Sequence, residues 1–513
     1  MSLEKTAVLH SRYNPQAEAD RYIASLALNE ATRFFILIEP GLGYMIAPLR
    51  KRAGGAKIIA LHADADATSR TTAPDVEQNS ALSPPDSSWC PGAGIALQDF
   101  LEREIPDSAA AEIHILEWRP ARAVYGGEYL RLIAESAEFI KRVDANLRTI
   151  NAFGTRWFKN FFRNLEIIRN VIRPAPLSLP LLVTSSGPSL EDAIPLIQER
   201  AQHGALFILA VSSSVPALAA AGIQPTMVIT TDGGQWANFH LFDLFHGESR
   251  AQHLAAALTA ALPSQCAALP ILPMSDGSVW QALILSKLAI PFIALPQRGT
   301  VSASALDVAF ALTSGDVFIA GLDLENSGIR AHARPYSLDR LIEEKSGRLA
   351  PCYSQAFKRA ALLQAGGSFG IYASWFAKQL AAYPRQIYSL GKNNRVFESF
   401  ESAGKSAVRF AAANTAQTAR ATYTTHRETH FQVTQLGASR ANAAQQTAKK
   451  AYAILENALT EKTAQEEQPP YAAELRKELG ILLVGKSNPT PQELLEKLSE
   501  TLHAIKKGSR HAN

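Results

Sequence analysis

A chain of 513 residues exceeds what one hydrophobic core holds together and implies roughly two to four domains. An apolar fraction of 47%, a charged fraction of 19% and a net charge of +4 are ordinary for a globular protein. With no concentrated basic stripe, they give no reason to expect nucleic acid as a partner. Three scattered cysteines, Cys90, Cys266 and Cys352, follow no CxxC spacing, which argues against a disulfide framework or a structural zinc site and for a reducing compartment. The opening residues MSLEKTAVLH are acidic and polar where a secretory signal needs an apolar run. No window approaches the ~18–20 uncharged apolar residues of a membrane span. The expectation is a cytoplasmic protein.

In chain order, four regions read differently. Residues 1–115 form a small N-terminal α/β domain: the apolar run Phe34–Ile38, the turn Glu39-Pro40-Gly41-Leu42-Gly43, a helical stretch, and a second apolar run Lys57–Leu61 make a β-α-β pattern. The Ser-, Thr-, Pro- and Asp-rich stretch 68–88 reads as an exposed loop. Residues 116–178 are expected to be a helical connector. Leu130, Ile133, Phe139 and Ile140 recur at helical spacing, as do Trp157, Phe158, Phe161, Phe162 and Leu165, with Pro174 and Pro176 closing the segment.

Residues 179–400 carry the clearest pattern. Leu181–Val183, Leu206–Val211, Met227–Ile229, Phe292–Leu295, Val317–Ala320 and Ile387–Leu390 are short runs apolar on both faces, several alternating with helical patterns. Such runs predict a Rossmann-like parallel sheet covered by helices on both sides. Residues 401–513, rich in Ala, Gln, Thr, Lys and Glu and lacking Trp, predict a C-terminal helical domain. Its last helix starts on a capping box, Thr490-Pro491 with Glu493, and carries Leu494, Leu495, Leu498, Leu502 and Ile505 as one apolar stripe for core packing. The fold class expected is α/β throughout, with the central sheet domain flanked by the two smaller ones.

In an open parallel sheet, ligands bind beyond the carboxyl ends of the strands. Three of those ends here carry small polar residues or a carboxylate: Ser185–Ser189, Ser212–Ser214 and Asp232–Gly234. Gly187 lets backbone approach a phosphate, and Ser189 stands at the start of a helix whose free N–H groups favour an anion. Any one of these loops has an ordinary βα turn as its competing explanation; three converging on one crevice weaken it. Asp232 and Asp323 each end a strand and could hold a ribose hydroxyl, a metal or a substrate amine, or simply form an Asx turn or helix cap. His332, shortly after Asp323, titrates near neutrality and could deprotonate a hydroxyl, although a lone loop histidine is more often a surface residue. Trp236 and His240 read first as packing residues. Glu39–Gly43 lacks the further glycines of a methyltransferase cofactor turn and reads as structural.

Taken together these segments resemble the motility accessory factor family, flagellin glycosyltransferases of motile bacteria. The likeness rests on His10-Ser11-Arg12-Tyr13-Asn14-Pro15, Gly41-Leu42-Gly43-Tyr44, Gly187-Pro188-Ser189-Leu190, and Ala221-Gly222-Ile223-Gln224-Pro225 leading to Asp232. It continues through Gly299-Thr300-Val301-Ser302, Gly321-Leu322-Asp323-Leu324 and Ala331-His332-Ala333, and spans about residues 10–400. The family's central domain is similar to bacterial sialyltransferases that use CMP-sialic acid. That resemblance implies nucleotide contacts at Ser186, Gly187, Pro188 and Ser189, and donor contacts at Thr300, Val301 and Ser302; Ser213 and Asp323, read above as strand-end groups, are expected to line the same site. It further implies transfer of a CMP-activated nonulosonic acid, such as a pseudaminic or legionaminic acid, to Ser or Thr of flagellin before export. Ser186 stands where the sialyltransferases have an asparagine, Asp232 replaces another, and their catalytic histidine lies later in the chain than His332.

In such a reaction His332 or Asp232 would act as general base while the helix end at Ser189 steadies the departing phosphate. The CMP-sugar is the donor substrate, no cofactor is firmly implied, and an activated leaving group does not require a divalent metal, whose presence stays open. The same central domain is also similar to a pterin diphosphokinase, which would use a nucleoside triphosphate and Mg²⁺. A non-catalytic flagellin-binding protein is the third alternative.

Overall fold

The computed structural model describes residues 9–65, 83–202, 206–246, 251–296, 298–364, 368–379, 383–391, 410, 431–436, 441–460, 470–486 and 489–509. Of the stretch 68–88, expected to be a loop, residues 68–82 lie outside them, and its end is instead part of a strand, Ser87–Trp89, that pairs with Ile59–Leu61. The chain divides into two compact units, one of residues 1–154 with 477–490, the other of 155–476 with 491–513.

In the first unit, helix α1 (Pro15–Ser25) precedes a four-stranded, all-parallel sheet of β1 (Phe34–Ile38), β2 (Lys57–Leu61), β3 (Ser87–Trp89) and β4 (Ile113–Glu117), in the order β3-β2-β1-β4. Helices α2 (Ile46–Ala53), α3 (Leu97–Glu104) and the first part of α4 (Pro120–Ile167) cover it. The expected β-α-β is present, with Ile36, Leu37, Ile58 and Ile59 fully buried because strands covered on both faces need apolar residues at successive positions. The turn after β1 is held from within. Glu39, fully buried at φ +45°, accepts the Ala63 N–H at 2.7 Å, and His10 Nε2 accepts the Leu42 N–H at 3.0 Å.

That histidine makes the first unit sensitive to acid. Burial, only partly offset by the Glu39 carboxylate, lowers the His10 pKa from 6.5 to about 4. The unfolded chain therefore takes up a proton near pH 6.5 that the folded chain refuses until about pH 4. The contribution is full above pH 6.5 and lost as pH falls through this window, by roughly 3 kcal/mol. Urea unfolding followed by tryptophan fluorescence at pH 7 and pH 4.5 should show this loss, and His10→Gln should flatten it. An equal pH slope in the variant would assign the effect to other groups.

Among the described residues, the second unit is built on a ten-stranded sheet. Its strands are β5 (Asn170–Arg173), β6 (Leu181–Thr184), β7 (Phe207–Val211), β8 (Met227–Thr230), β9 (His253–Ala257), β10 (Ile271–Ser275), β11 (Ile293–Ala294), β12 (Val317–Ala320), β13 (Ile387–Ser389) and β14 (Gln432–Gln435). The order is β13-β12-β6-β7-β8-β9-β10-β5-β14, with β11 beside β10 and only β14 antiparallel. Helices α5 (Leu190–Gln202), α6 (Val215–Ala220), α7 (Ala237–His246), α8 (Val279–Lys287), α9 (Val301–Leu312), α10 (Asp339–Glu344), α11 (Cys352–Gln364) and α12 (Ser368–Gln379) connect or cover the strands. Later come α13 (Ala441–Thr460), packed on α8, then α14 (Pro470–Leu479), and α15 (Pro491–Ser509), whose Leu494, Leu498 and Ile505 are buried as the stripe predicts.

Two local expectations change. The helix expected to reach Pro174 ends at Ile167, and Asn170–Arg173 is a strand, its β-branched Val171 and Ile172 buried in the sheet. The C-terminal region contributes β14 as well as helices, laid antiparallel on β5. From β6 the chain runs outward through β7, β8, β9 and β10, then returns to place β12 and β13 on the other side of β6. The strand order therefore reverses between β6 and β12, which is where an open parallel sheet forms its crevice.

Candidate functional site

The carboxyl ends of β6 and β12 are level, because Thr184 pairs with Ala320. The two turns that follow interlock: the Ser185 N–H donates to Ala320 O at 2.8 Å and the Gly187 N–H to Gly321 O at 2.7 Å. A Cβ on Gly187 would stand 2.6 Å from Gly321 O and 2.7 Å from Asp323 Oδ2. The glycine is thus needed for the approach of its neighbouring loop as much as for any ligand. Asp323 reaches across and accepts both the Ser189 N–H, at 2.7 Å, and the Ser189 hydroxyl. Burial pushes the Asp323 carboxyl up, while the two bonds from Ser189 pull it part of the way back. The end of α5 that favours an anion is met by the chain's own carboxylate.

The turn after β7 joins from the other side. Ser214 ties the two strand ends together, its hydroxyl donating to Val211 O at 2.8 Å and to Thr184 O at 3.1 Å. Ser213, one residue earlier, donates instead to Ser186 Oγ at 3.0 Å. Ser186 Oγ in turn lies 3.2 Å from His332 Nδ1. The His332 ring stacks on Tyr336 at 4.1 Å between centroids, and Tyr336 packs against His240 of α7 at 5.4 Å. Ser185 Oγ donates to Ser302 Oγ at 2.8 Å, and Thr300 caps α9 by accepting the Ala303 N–H at 3.2 Å.

Of the residues singled out from sequence, Ser186, Ser213 and His332 form one contiguous cluster. Ser189 and Asp323 form a pair, with Gly187 and buried Pro188 in the same turn, and Ser302 joins through Ser185. Asp232 lies on the same sheet edge after β8, but its side chain is exposed and accepts the Gly234 N–H at 2.8 Å in an Asx turn leading into α7. Helix α7, which follows this turn, meets the cluster through His240 against Tyr336. A cavity of about 100 Å³ opens beside the imidazole, lined among others by Ile329, His332, Tyr336, Ile342, Cys352 and Ala356.

Several positioning residues escaped the sequence reading. Asn160 Nδ2 donates to Gly233 O at 3.1 Å and Thr259 O at 3.0 Å; Asn164 Nδ2 donates to Leu258 O and Ala260 O, both at 2.8 Å. These two buried amides, one turn apart on α4, hold the loops after β8 and β9. Polar residues at positions i and i+4 amid Phe158, Phe161, Phe162 and Leu165 were the available signal. Glu191, in the first turn of α5, accepts from Arg330 and Arg334 on either side of His332.

The segment carrying most of this sheet has counterparts among known proteins. Residues 155–328 match the model of the 6-hydroxymethylpterin diphosphokinase MptE-like family. An uncharacterized protein of Treponema pallidum (strain Nichols) is 26% identical over 283 residues, 55% of this chain and 60% of that protein. The match thus spans less than two thirds of that relative's length. The solved structure of MAf glycosyltransferase from Magnetospirillum magneticum AMB-1 aligns with 98% of this chain and 82% of its own, with a TM-score of 0.45 and 13% identity. Among the described residues no helix is long and apolar enough to cross a membrane.

Proposed function

We propose that the second unit is a glycosyltransferase that moves a CMP-activated nonulosonic sugar onto a Ser or Thr hydroxyl of a protein acceptor, flagellin being the acceptor that the sequence resemblance implies. The observation that carries this reading is the Ser213–Ser186–His332 cluster, set at the crevice where the strand order reverses. In the reaction the bond between the sugar's anomeric carbon and the CMP phosphate oxygen breaks, and a new bond forms from that carbon to the acceptor oxygen. The acceptor's proton passes to His332, and CMP leaves with the bonding electron pair. Ser186 and Ser213 supply hydroxyls for the phosphate oxygens on which charge develops. Gly187, Pro188 and Ser189 shape the nucleotide side of the crevice, and Thr300, Ser302 and Asp323 its donor side. Asp232, held in its own turn, serves best as a contact at the acceptor or donor rim.

The family match over residues 155–328 favours a second reading, a diphosphokinase-like phosphotransferase using a nucleoside triphosphate. Titration calorimetry with CMP, ATP and GTP separates the two. Sugar transfer predicts that CMP binds at least ~10-fold more tightly than either triphosphate, a difference of about 1.4 kcal/mol. Tighter ATP or GTP binding with Mg²⁺ present would replace this proposal by the phosphotransferase. If CMP binds and the mass of co-expressed flagellin stays unchanged with the sugar pathway supplied, flagellin is not the acceptor.

A further inference from the structure

We infer that Glu191 is a positioning residue that sets the His332 imidazole against Ser186. This rests on the reading above only in naming His332 as the base; the geometry stands by itself. His332 sits in a segment between β12 and α10 that is neither helix nor strand, so nothing in regular secondary structure fixes its ring. Three contacts bracket it. Two residues before, Arg330 donates through Nη1 to both oxygens of Glu191, at 2.9 and 3.0 Å. Two residues after, the Arg334 N–H donates to Glu191 Oε1 at 2.9 Å. Between them the Ala333 N–H donates to Ser186 O at 2.7 Å.

One carboxylate thus grips the loop at both shoulders of His332, and it projects from the first turn of α5, directly after the turn that carries Ser186. The serine and the imidazole are referenced to the same helix end. On the far side the Ser327–Arg330 turn is closed by reciprocal backbone bonds of 2.9 and 3.1 Å, with Gly328 at φ +62°, which fixes where the Arg330 side chain leaves the loop. A carboxylate also suits the first turn of a helix, where the dipole favours negative charge.

A merely structural ion pair would act differently. Glu191 and Arg330 are each about one-third exposed, and half-exposed pairs contribute little to stability. Removing the carboxylate should therefore leave the unfolding temperature nearly unchanged and free the loop. A reacting group displaced by about 1 Å can cost on the order of 10²-fold in rate.

The test uses the full-length protein with ¹⁵N-labelled histidine, the His332 ring signals being assigned through His332→Gln. Glu191→Ala should shift the His332 ring nitrogens, with loss of the hydrogen-bonded Nδ1 signature, while signals of histidines in the first unit stay in place. Glu191→Gln keeps an oxygen for the Arg334 N–H and should fall between wild type and Glu191→Ala. In transfer assays Glu191→Ala should lower kcat by roughly 10–10²-fold with KM for the CMP-sugar within about twofold. In a His332→Ala background it should add no further loss, because its effect runs through that ring. Unmoved His332 signals, or losses that add in the double variant, would overturn the inference. Should wild-type protein transfer no sugar, the proposed function fails and the ring signals alone decide whether Glu191 positions His332.

Discussion

Replacing His332 by alanine is expected to slow sugar transfer by roughly 10²–10⁴-fold, the usual contribution of a positioned general base. Initial rates with saturating CMP-sugar and acceptor would show the fall in kcat. CMP affinity measured by calorimetry should hardly change, because the nucleotide side of the crevice is built from the turn after β6. Protein stability should hold as well. The imidazole is only half-buried, and Ser186 keeps the hydroxyl of Ser213 at 3.0 Å when the ring is gone. Partial rescue by free imidazole would identify the lost group as a proton acceptor. A variant that transfers at the wild-type rate would remove His332 from the chemistry and leave Asp232 as the remaining candidate base, despite its place in an exposed Asx turn.

The contrast between His332 and Asp232 shows how far a sequence locates a site. Both follow strands that periodicity identifies, so both were expected at one edge of a parallel sheet, and both are there. Periodicity does not say which side chains turn toward each other. Asp232 satisfies itself on the Gly234 N–H two residues away, a local bond open to any aspartate followed by two glycines. His332 is carried to Ser186, 146 residues distant in sequence, by contacts that no local pattern encodes. The Ser189–Asp323 pair is similar: each residue stood out alone as a strand-end or helix-start group, yet nothing in the sequence signalled that one would cap the other.

Four strands of the second unit that escaped the reading have physical reasons of their own. β9, His253–Ala257, is largely alanine, a residue that favours helices and forms a strand here because both its neighbours pair with it. β10, Ile271–Ser275, contains Pro273, which usually argues against a strand inside a sheet. β5 follows directly on a long helix without a glycine between them, and its four residues become a strand by joining β10 and β14. β14 has Val433 as its one apolar residue and is exposed at every position, so it carried no alternation to detect. By contrast β6, β7, β8 and β12 are buried at every position and apolar throughout except for Thr184 and Thr230, which close β6 and β8, and these four hold the crevice. The most legible strands and the site coincide because strands covered on both faces are those whose ends form a closed crevice.

The second large effect is expected at Gly321, where the chain leaves β12. Its φ is +73°, and a Cβ there would collide with the carbonyl oxygen of Ser185 and lie 2.9 Å from Leu190 Cβ. The Ser185 oxygen cannot retreat cheaply, because the neighbouring N–H groups of Ser185 and Gly187 are already bonded to Ala320 O and Gly321 O. Gly321→Val adds a β-branched side chain in the left-handed region and overpacks the seam between two turns. The left-handed penalty of about 1–2 kcal/mol and overpacking of about 1–3 kcal/mol together predict a loss of roughly 2–5 kcal/mol. Denaturant unfolding of the second unit would read it directly. Gly328→Val makes the control: its φ of +62° strains the backbone similarly, yet no atom lies within 4 Å of the added Cβ, so only the backbone part of the loss should appear. Equal losses in the two variants would mean that the interlock between the turns after β6 and β12 contributes nothing beyond backbone strain. A much larger loss at Gly321 would show that the seam against which Asp323 and Ser189 are set is rigid, as a crevice holding charged groups in a fixed geometry requires.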